Sequence, residues 1–191
     1  MNYLKLFLAV NQIFETDRLK LRPVELADAE DMYEYASDDE NTYYIFNAHT
    51  SIEDTRYAIA NYFIAQPLGK FGIELKDEGK LIGTFDVRVD TKRFNAEIGY
   101  ALNNKYANNG YTTEAAQRIL QFAFETLELE KVWATCDKKN KASEAVMKKL
   151  GMQKEAELRH HERWKNGEWM DLLHYAILRD EYFERLRASA K

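Results

Sequence analysis

A polar, glycine-containing stretch at residues 107–114 joins a strand-like run to a helix-like run, and it constrains the fold more than any other segment. The run from Phe94 to Leu102 alternates as a strand does, and the run from Glu114 to Leu127 has apolar residues at helical spacing. The first N–H groups of a helix have no partner inside it, and the helix dipole adds partial positive charge at that end. The stretch is therefore predicted to bind an anion, most often a phosphate group.

The strand that follows this helix indicates how the segment is arranged. Lys131 to Asp137 has the pattern of a short strand, so a strand, a crossover helix and a second strand succeed one another. Such a unit is parallel and right-handed. Ligands in open α/β sheets favour the carboxyl ends of the strands, and the polar stretch lies at that end.

Length and composition favour a single globular domain. With 191 residues and 46% apolar content, the chain is large enough to bury a core and too apolar to be disordered. No linker or repeat interrupts it, so we predict one domain over residues 1–191, with an extension over 1–14 and a core over about 15–183. The net charge of −5 argues weakly against nucleic acid as a partner.

The start of the chain, and its content of cysteine and histidine, argue against a secreted, membrane-spanning or metal-binding protein. Met1 to Phe14 is apolar but lacks a basic region and a cleavage site. We therefore expect it to be neither a signal peptide nor a membrane span. We expect an amphipathic helix or loop there, and a cytoplasmic protein. Cys136 is the single cysteine, so we predict no internal disulfide and no metal site, and we interpret the four histidines as structural or surface residues.

The remaining segments predict a mixed α/β fold. Their spacing predicts strands at 19–22, 71–75 and 80–89, helices at 25–36, 51–65 and 142–150, a hairpin turn at 165–167 and a terminal helix at 180–190.

The strand before the polar stretch has one unusual face. The face expected to be buried contains Phe94, Ala96, Ile98, Tyr100 and Leu102. The other face contains Asn95, Glu97, Gly99, Ala101 and Asn103. A glycine within a strand often marks a bulge or the close approach of a ligand, with a simple packing role as the alternative. We expect this second face to point towards a ligand.

Four motifs in this order resemble the GNAT N-acetyltransferase superfamily. They are Glu97-Ile98-Gly99-Tyr100-Ala101-Leu102, Asn109-Gly110-Tyr111-Thr112-Thr113-Glu114-Ala115, Asn140-Lys141-Ala142-Ser143 and Lys149-Leu150-Gly151-Met152. Within the superfamily the sequence is most similar to the branch of ribosomal-protein N-terminal acetyltransferases. The resemblance implies a central twisted, mostly antiparallel sheet of about seven strands. It also implies a parallel strand–helix–strand unit and helices on both faces.

The resemblance implies where acetyl-CoA, the acetyl donor, binds. Its pyrophosphate is held by the backbone N–H groups of Asn108, Asn109, Gly110, Tyr111, Thr112 and Thr113. The backbone of Tyr100, Ala101 and Leu102 pairs with the pantetheine arm like an added strand. Gly110 matches the central glycine of the family's Gln/Arg-x-x-Gly-x-Gly/Ala loop, whereas Ala107 and Thr112 depart from the pattern. Asn108 stands where the branch usually has another glycine, and asparagine tolerates positive φ better than most residues.

Three side chains are candidates for the chemistry. Glu97 is predicted to be the general base, acting through water, with a surface or cross-strand ion pair as the alternative. The resemblance assigns Ser143 as proton donor to the leaving thiolate, with a helix N-cap as its alternative. Asn140 is expected to hydrogen-bond the pantetheine arm, with loop turn chemistry as the alternative.

The reaction that the resemblance implies is direct transfer of an acetyl group from acetyl-CoA to a primary amine, either a protein N-terminus or a small amine. The alternatives are acetylation of a polyamine or aminoglycoside, and an acyl-CoA-binding sensor without turnover. Acidic and aromatic side chains are expected to form the acceptor pocket, namely Asp38, Asp39, Glu40, Tyr43, Tyr44, Trp164 and Trp169. The alternatives are a solvated loop for the acidic residues and a packing role for the tryptophans. A homodimer is a further expectation from the resemblance.

Overall fold

The computed structural model describes residues 3–189, which form eight β-strands and seven α-helices. The strands are β1 (Phe14–Glu15), β2 (Leu19–Arg22), β3 (Lys70–Leu75), β4 (Lys80–Asp90), β5 (Asn95–Leu102), β6 (Lys131–Asp137), β7 (Gln153–Arg163) and β8 (Trp169–Leu178). The helices are α1 (Leu4–Val10), α2 (Ala29–Ala36), α3 (Asp39–Thr42), α4 (Ile52–Ala58), α5 (Tyr111–Gln121), α6 (Lys141–Lys149) and α7 (Arg179–Ser189). The helix α4 continues as a π-helix over Ile59–Ile64, and α5 continues in the same way over Phe122–Thr126.

All eight strands belong to one sheet, in the order β1-β2-β3-β4-β5-β6-β8-β7. The strands β5 and β6 pair in parallel, whereas β1–β2, β2–β3, β3–β4, β6–β8 and β7–β8 are antiparallel. The predicted mixed α/β fold is confirmed, and the two-residue strand β1 adds to the seven or so strands expected. The parallel pairing runs from Asn95–Lys131 to Glu97–Trp133, although β5 itself continues to Leu102.

The chain divides into two compact units, each built from two separate stretches of sequence. The first unit comprises Met1–Val87 and Gly99–Arg118, and the second comprises Arg88–Ile98 and Ile119–Lys191. The strands β4 and β5 and the helix α5 each contribute residues to both units. A single domain over the whole chain stays a prediction.

The first unit has a core organised on α2. The buried residues Ala29, Met32, Tyr35 and Ala36 recur every three or four positions, which is the spacing of one helix face. They cluster with Val24, Ile59, Leu81 and Ala101. The amino-terminal helix α1 also buries Leu4 and Leu8, and residues 1 and 2 of the predicted extension lie outside the described part of the chain. Within residues 3–189, none of the helices has the length and apolar character needed to cross a membrane.

In the second unit the sheet is buried on one face and half-exposed on the other. The buried face carries Ala96, Ile98, Val132, Ala134, Cys136, Leu173, Tyr175 and Ile177. On the opposite face Glu97 lies across from Trp133, and His174 lies across from Thr135. All four of these side chains are half-buried.

Two expectations about the strand and helix beside the polar stretch are wrong. Helix α5 begins at Tyr111 rather than Glu114, so the helical first turn includes part of the predicted loop. Phe94 lies before β5 with a φ of +51°, and it is 48% exposed instead of buried. Its backbone has left the extended conformation, so it does not continue the alternation of the strand.

The predicted faces of β5 are also wrong in its second half. Ala96 and Ile98 are buried as expected, but Ala101 is then buried while Tyr100 and Leu102 are half-exposed. The alternation therefore shifts by one position after Ile98, next to Gly99, a residue type that permits such irregularities. Ala101 packs into the core of the first unit instead of facing a ligand with its side chain.

Candidate functional site

The polar stretch forms a tight loop that leads directly into α5. Ala107 is extended, with a φ of −62° and a ψ of +159°, whereas Asn108 and Gly110 have positive φ values of +64° and +81°. Glycine and asparagine adopt this conformation at the lowest cost. The loop therefore keeps a left-handed residue at Asn108, where the resemblance places a glycine.

The backbone N–H groups from Asn108 to Thr113 have no hydrogen-bond partner among the residues that the structure describes. The first bond of α5 runs from the N–H of Glu114 to the carbonyl oxygen of Gly110, at 3.0 Å. Consecutive donors without a described acceptor thus lie at the end of the helix where the dipole is positive. Such an arrangement can hold the oxygen atoms of a phosphate or a pyrophosphate.

Arg18, in the turn between β1 and β2, holds this loop in place. Its Nη1 donates to the carbonyl oxygen of Asn109 at 3.0 Å, and its Nε and Nη2 contact Oε2 of Glu114 at 2.7 and 2.6 Å. Its guanidinium carbon also lies 4.5 Å from the centroid of the Tyr111 ring. The hydroxyl of Thr16 donates to Glu114 at 2.5 Å. Arg18 therefore supports the loop directly through Asn109, and Thr16 and Arg18 together fix Glu114 in the first turn of α5.

Asn103, which follows β5, carries a buried donor without a partner. Asn103 is 3% exposed, and its Oδ1 accepts a hydrogen bond from the N–H of Lys105 at 3.0 Å. Its Nδ2 is buried and makes no hydrogen bond to any residue in the described range. An unpaired buried donor costs about 1–3 kcal/mol, and a bound ligand that supplies an acceptor would remove that cost.

The end of β5, predicted to bind the pantetheine arm, belongs to the first unit. The ring of Tyr100 lies 5.9 Å from that of Phe85, measured between centroids. The carbonyl oxygen of Leu102 accepts a hydrogen bond from Nδ2 of Asn41 at 2.9 Å. A Cβ atom on Gly83 would lie 2.4 Å from the carbonyl oxygen of Ala101, so β4 and β5 approach closely here. The role of these residues in cofactor binding stays a prediction.

In the second unit, Glu97 forms a two-point ion pair with Arg88 of β4. Nη2 of Arg88 lies 3.0 Å from Oε1 of Glu97, and Nε lies 3.2 Å from Oε2. This contact is the cross-strand ion pair that the sequence offered as the alternative. Each carboxylate oxygen keeps lone pairs that Arg88 does not use, so the general-base role stays a prediction.

Asn140 and Ser143 lie at the start of α6. Oδ1 of Asn140 accepts a hydrogen bond from the N–H of Ser143 at 3.0 Å, which makes Asn140 the N-cap. The alternative interpretation of Ser143 as the N-cap is wrong, because Ser143 is the third residue of the helix and the cap position is already filled. The cap uses the N–H of Ser143, and the hydroxyl of Ser143 shares a hydrogen bond with the thiol of Cys136.

Cys136 is a buried thiol at the end of β6. Burial, followed by the charge of Glu144, raises its pKa to about 11, although the hydrogen bond with Ser143 acts in the opposite direction. The thiol is therefore protonated at neutral pH, which makes it a poor nucleophile.

The predicted site residues fall into two sets. Those of the first unit are Tyr100, Ala101, Leu102, Asn108, Asn109, Gly110, Tyr111, Thr112 and Thr113. Those of the second unit are Glu97, Asn140 and Ser143.

The side chains predicted for an acceptor pocket have structural contacts of their own. Oδ1 of Asp38 caps α3 by accepting from the N–H of Glu40 at 2.9 Å, and the rings of Tyr43 and Tyr44 meet edge to face at 4.8 Å. In the second unit, Trp169 stacks on His160 at 5.5 Å. Their participation in acceptor binding stays a prediction.

Sequence reasoning missed Thr16 and Arg18, and it placed Asn103 on the strand face expected to point towards a ligand without giving it a role. Arg18 reaches Glu114 across 96 positions of sequence, and no motif around either residue marks the contact. A signal did exist for Asn103, since the sequence places this polar side chain directly after a strand and next to the loop.

Comparison with known proteins identifies the class as an acetyltransferase. The N-acetyltransferase YnaD of Bacillus subtilis (strain 168), described as uncharacterized, is 37% identical over 167 residues, which cover 87% of this chain and 97% of YnaD. YdaF of the same organism, named as a candidate ribosomal N-acetyltransferase, is 32% identical over 114 residues, or 58% of this chain and 62% of YdaF. The crystal structure of a GNAT-family acetyltransferase from Bacillus anthracis superposes with a TM-score of 0.80 at 34% identity, covering 88% of this chain and 99% of that one.

The family follows from a match over most of the chain. Residues 18–153 match the family described as Acetyltransferase (GNAT) domain, so this chain belongs to the GNAT acetyltransferases. It is an acetyl-CoA-dependent N-acetyltransferase. The resemblance seen in the four sequence motifs is thereby confirmed, and the match to YdaF agrees with the branch that those motifs indicated.

Proposed function

We propose that the chain transfers the acetyl group of acetyl-CoA to a primary amine by direct attack of the amine on the thioester in a ternary complex. The observation that supports this most strongly is the run of unpaired N–H groups from Asn108 to Thr113 at the start of α5. These donors, supported by Arg18, fit the pyrophosphate of acetyl-CoA. The unpaired Nδ2 of Asn103 fits a further acceptor atom of the same molecule.

The other cofactor contacts follow the resemblance. The backbone of residues 100–102 would pair with the pantetheine arm, and Asn140 would hydrogen-bond that arm in addition to capping α6.

Two side chains would handle protons. An amine with a pKa of about 8–10 is mostly charged at neutral pH, so a base that removes its proton accelerates attack. Glu97 would take that proton through water, while Arg88 fixes the orientation of the carboxylate. Ser143 would donate a proton to the thiolate that leaves, as the resemblance implies; the cap of α6 uses its N–H, and its hydroxyl hydrogen-bonds the thiol of Cys136.

Direct transfer is favoured over an acetyl-enzyme because the one thiol of the chain is ill-suited to attack. Cys136 is buried, and its raised pKa of about 11 keeps it protonated at neutral pH. A buried, protonated thiol offers little thiolate for covalent catalysis.

The acceptor we place first is a protein N-terminus, because YdaF, a relative at 32% identity, is named for ribosomal acetylation. A polyamine or another small amine comes second. The acidic side chains of Asp38, Asp39 and Glu40 are exposed in the first unit, and they would suit a cationic acceptor of either kind.

A screen with a defined readout tests the proposal. The purified chain is incubated with acetyl-CoA and a panel of N-terminal peptides, polyamines and aminoglycosides, and both acetylated product mass and free CoA thiol are measured. We expect one acceptor class to gain an acetyl group with an equal yield of free thiol. Tight binding of acetyl-CoA without thiol release from any amine would instead indicate a sensor, and absence of binding would reject the proposal.

A further inference from the structure

The half-exposed face of the sheet in the second unit carries a histidine to which the proposed chemistry assigns no role. His174 on β8 lies opposite Thr135 on β6, and Trp133, two residues earlier on β6, lies opposite Glu97 on β5. Side chains two positions apart on a strand share a face. Glu97, Trp133 and His174 therefore project from the same side of the sheet.

The imidazole of His174 is held in a fixed orientation. It stacks on the indole of Trp133, with 5.0 Å between the ring centroids and 16° between the ring planes. Its Nδ1 lies 3.3 Å from Oε2 of Glu155 on β7, and the side chain is 26% exposed. Within residues 3–189 its Nε2 makes no hydrogen bond. A carboxylate beside Nδ1 favours the tautomer protonated there, which leaves the lone pair of Nε2 available.

Charged groups face this imidazole from three strands. Burial lowers the pKa of His174 below its ordinary value of 6.5; the charges of Glu155 and Glu97 act to raise it, and that of Lys131 acts to lower it. Lys131 is paired with Glu155 at 2.6 Å, and Glu97 is paired with Arg88. The imidazole is therefore neutral at neutral pH, so Nε2 has a lone pair that can accept a proton.

We propose that His174, rather than Glu97, is the base of the acetyl transfer that accepts, at Nε2, the proton of the acceptor ammonium. This inference rests on the proposed acetyl transfer and changes only its base, because Arg88 already pairs with both carboxylate oxygens of Glu97. The ammonium gives one proton to Nε2 and becomes a neutral amine. The amine nitrogen then forms a bond to the thioester carbonyl carbon as the carbon–sulfur bond breaks. The nitrogen then loses a second proton, which converts the CoA thiolate into the free thiol. The imidazolium returns its proton to solvent.

The first test compares pH–rate profiles of kcat/KM for the wild type, His174→Gln and His161→Gln. His161 is an exposed histidine on β7 without a role in the chemistry, so its variant is the matched control. We expect His174→Gln to lose about 100-fold in kcat/KM at neutral pH, with an unchanged KM for acetyl-CoA. The acidic limb that ends below pH 6.5 should disappear in that variant alone. Imidazole added to the buffer should restore part of the rate.

A second test uses Glu155→Gln as a positioning variant. Because Glu155 raises the pKa of His174 and is paired with Lys131, its loss should move the acidic limb to lower pH. A purely structural role for His174 would change stability without moving the limb.

A third measurement needs no substitution. Nitrogen-15 spectra of the histidine-labelled wild type should show the His174 signal with the proton on Nδ1 and a titration midpoint below 6.5. A proton on Nε2, or a midpoint above that value, would overturn the inference even if no variant folds.

The outcomes separate the inference from the function on which it rests. Full turnover by His174→Gln with an intact acidic limb removes His174 from the mechanism and leaves the proposed function standing. If the wild type binds acetyl-CoA but none of the amines causes release of thiol, both the inference and the proposed function are rejected.

Discussion

Arg18 and Glu114 form a two-point ion pair that ties the turn between β1 and β2 to the first turn of α5. Nη2 and Nε of Arg18 lie 2.6 and 2.7 Å from Oε2 of Glu114, and Nη1 donates to the carbonyl oxygen of Asn109 at 3.0 Å. Burial opposes the charge on Glu114, but the hydrogen bonds from Thr16 and Arg18 outweigh it and hold its pKa below the ordinary value. The carboxylate therefore stays charged and fixes the loop beside the free N–H groups.

Replacing Arg18 by alanine should weaken acetyl-CoA binding without preventing folding. The variant loses the contact to Asn109 and the positive charge near the proposed pyrophosphate, so we expect KM for acetyl-CoA to rise roughly tenfold, or about 1.4 kcal/mol. Steady-state kinetics at saturating amine would measure this. Arg56→Ala is the control, because Arg56 pairs with the exposed Glu53 at 2.6 Å on α4. Equal KM values for the two variants would contradict the role of Arg18.

Gly110→Ala tests whether the left-handed backbone of the loop is needed for acetyl-CoA binding, as distinct from its effect on stability. Gly110 has a φ of +81°, and an added Cβ would meet only Nη2 of Arg18, at 3.7 Å. The substitution therefore costs about 1–2 kcal/mol through its conformation rather than through a clash. Gly79→Ala is matched, since Gly79 has a φ of +62° and open space around its Cβ position.

Both glycine variants should lose similar thermal stability, measured by calorimetry. Gly110→Ala alone should raise KM for acetyl-CoA, because relief of the strain in that variant would turn the loop N–H groups away. A normal KM in Gly110→Ala would show that these donors do not bind the cofactor.

Glu97→Gln tests the general base against the ion pair. If Glu97 takes the amine proton, kcat/KM at neutral pH should fall about 100-fold and the acidic limb of the pH profile should change. Arg88→Gln breaks the same ion pair but keeps the carboxylate, so it should lose less rate. Glu184→Gln on the exposed side of α7 controls for charge. If Arg88→Gln and Glu97→Gln lose the same rate and the limbs of the pH profile do not change, Glu97 acts only through its ion pair with Arg88 and is not the general base.

Two variants at the start of α6 should differ in effect: Asn140→Ala should lower stability, and Ser143→Ala should lower kcat. Asn140 is the N-cap, so its replacement should destabilise the fold by about 0.5–2 kcal/mol. Ser143 supplies its N–H to the cap, so Ser143→Ala keeps the cap, should lose only the hydrogen bond to the Cys136 thiol, and should lower kcat. Calorimetry together with kcat at saturating substrates checks both. Normal turnover in Ser143→Ala would remove it as the proton donor.

Much of the fold could be predicted from local sequence patterns. The strands at Leu19–Arg22 and Lys131–Asp137 have the bounds that alternation predicted, and Gly151 ends α6 with a φ of +83°. The positive φ of Asn108 could also be anticipated, because few residue types tolerate that conformation. These features depend on residues close together in sequence.

The errors arise where distant contacts decide the outcome. The alternation of β5 shifts after Ile98 because Ala101 is drawn into the core around α2, which sequence spacing cannot reveal. The role of Arg18 cannot be predicted for the same reason, since its partner Glu114 lies 96 residues away. The surroundings of His174 also depend on distant residues, since its partners Trp133 and Glu155 lie on two other strands.

Stability in acid should depend on Glu144 of α6. Hydrogen bonds from Lys148, then Tyr175 and Lys141, lower its pKa from 4.5 to about 2. Because the folded-state pKa is depressed, its contribution is fully present above pH 4.5 and is lost as the pH falls towards 2. Glu144→Gln should therefore be less stable than the wild type at pH 7, and the difference should vanish across that window in urea titrations. Glu53→Gln, at a carboxylate that is 71% exposed, should show little difference at either pH. A Glu144→Gln deficit that persists unchanged at pH 2 would mean that packing, rather than charge, accounts for it.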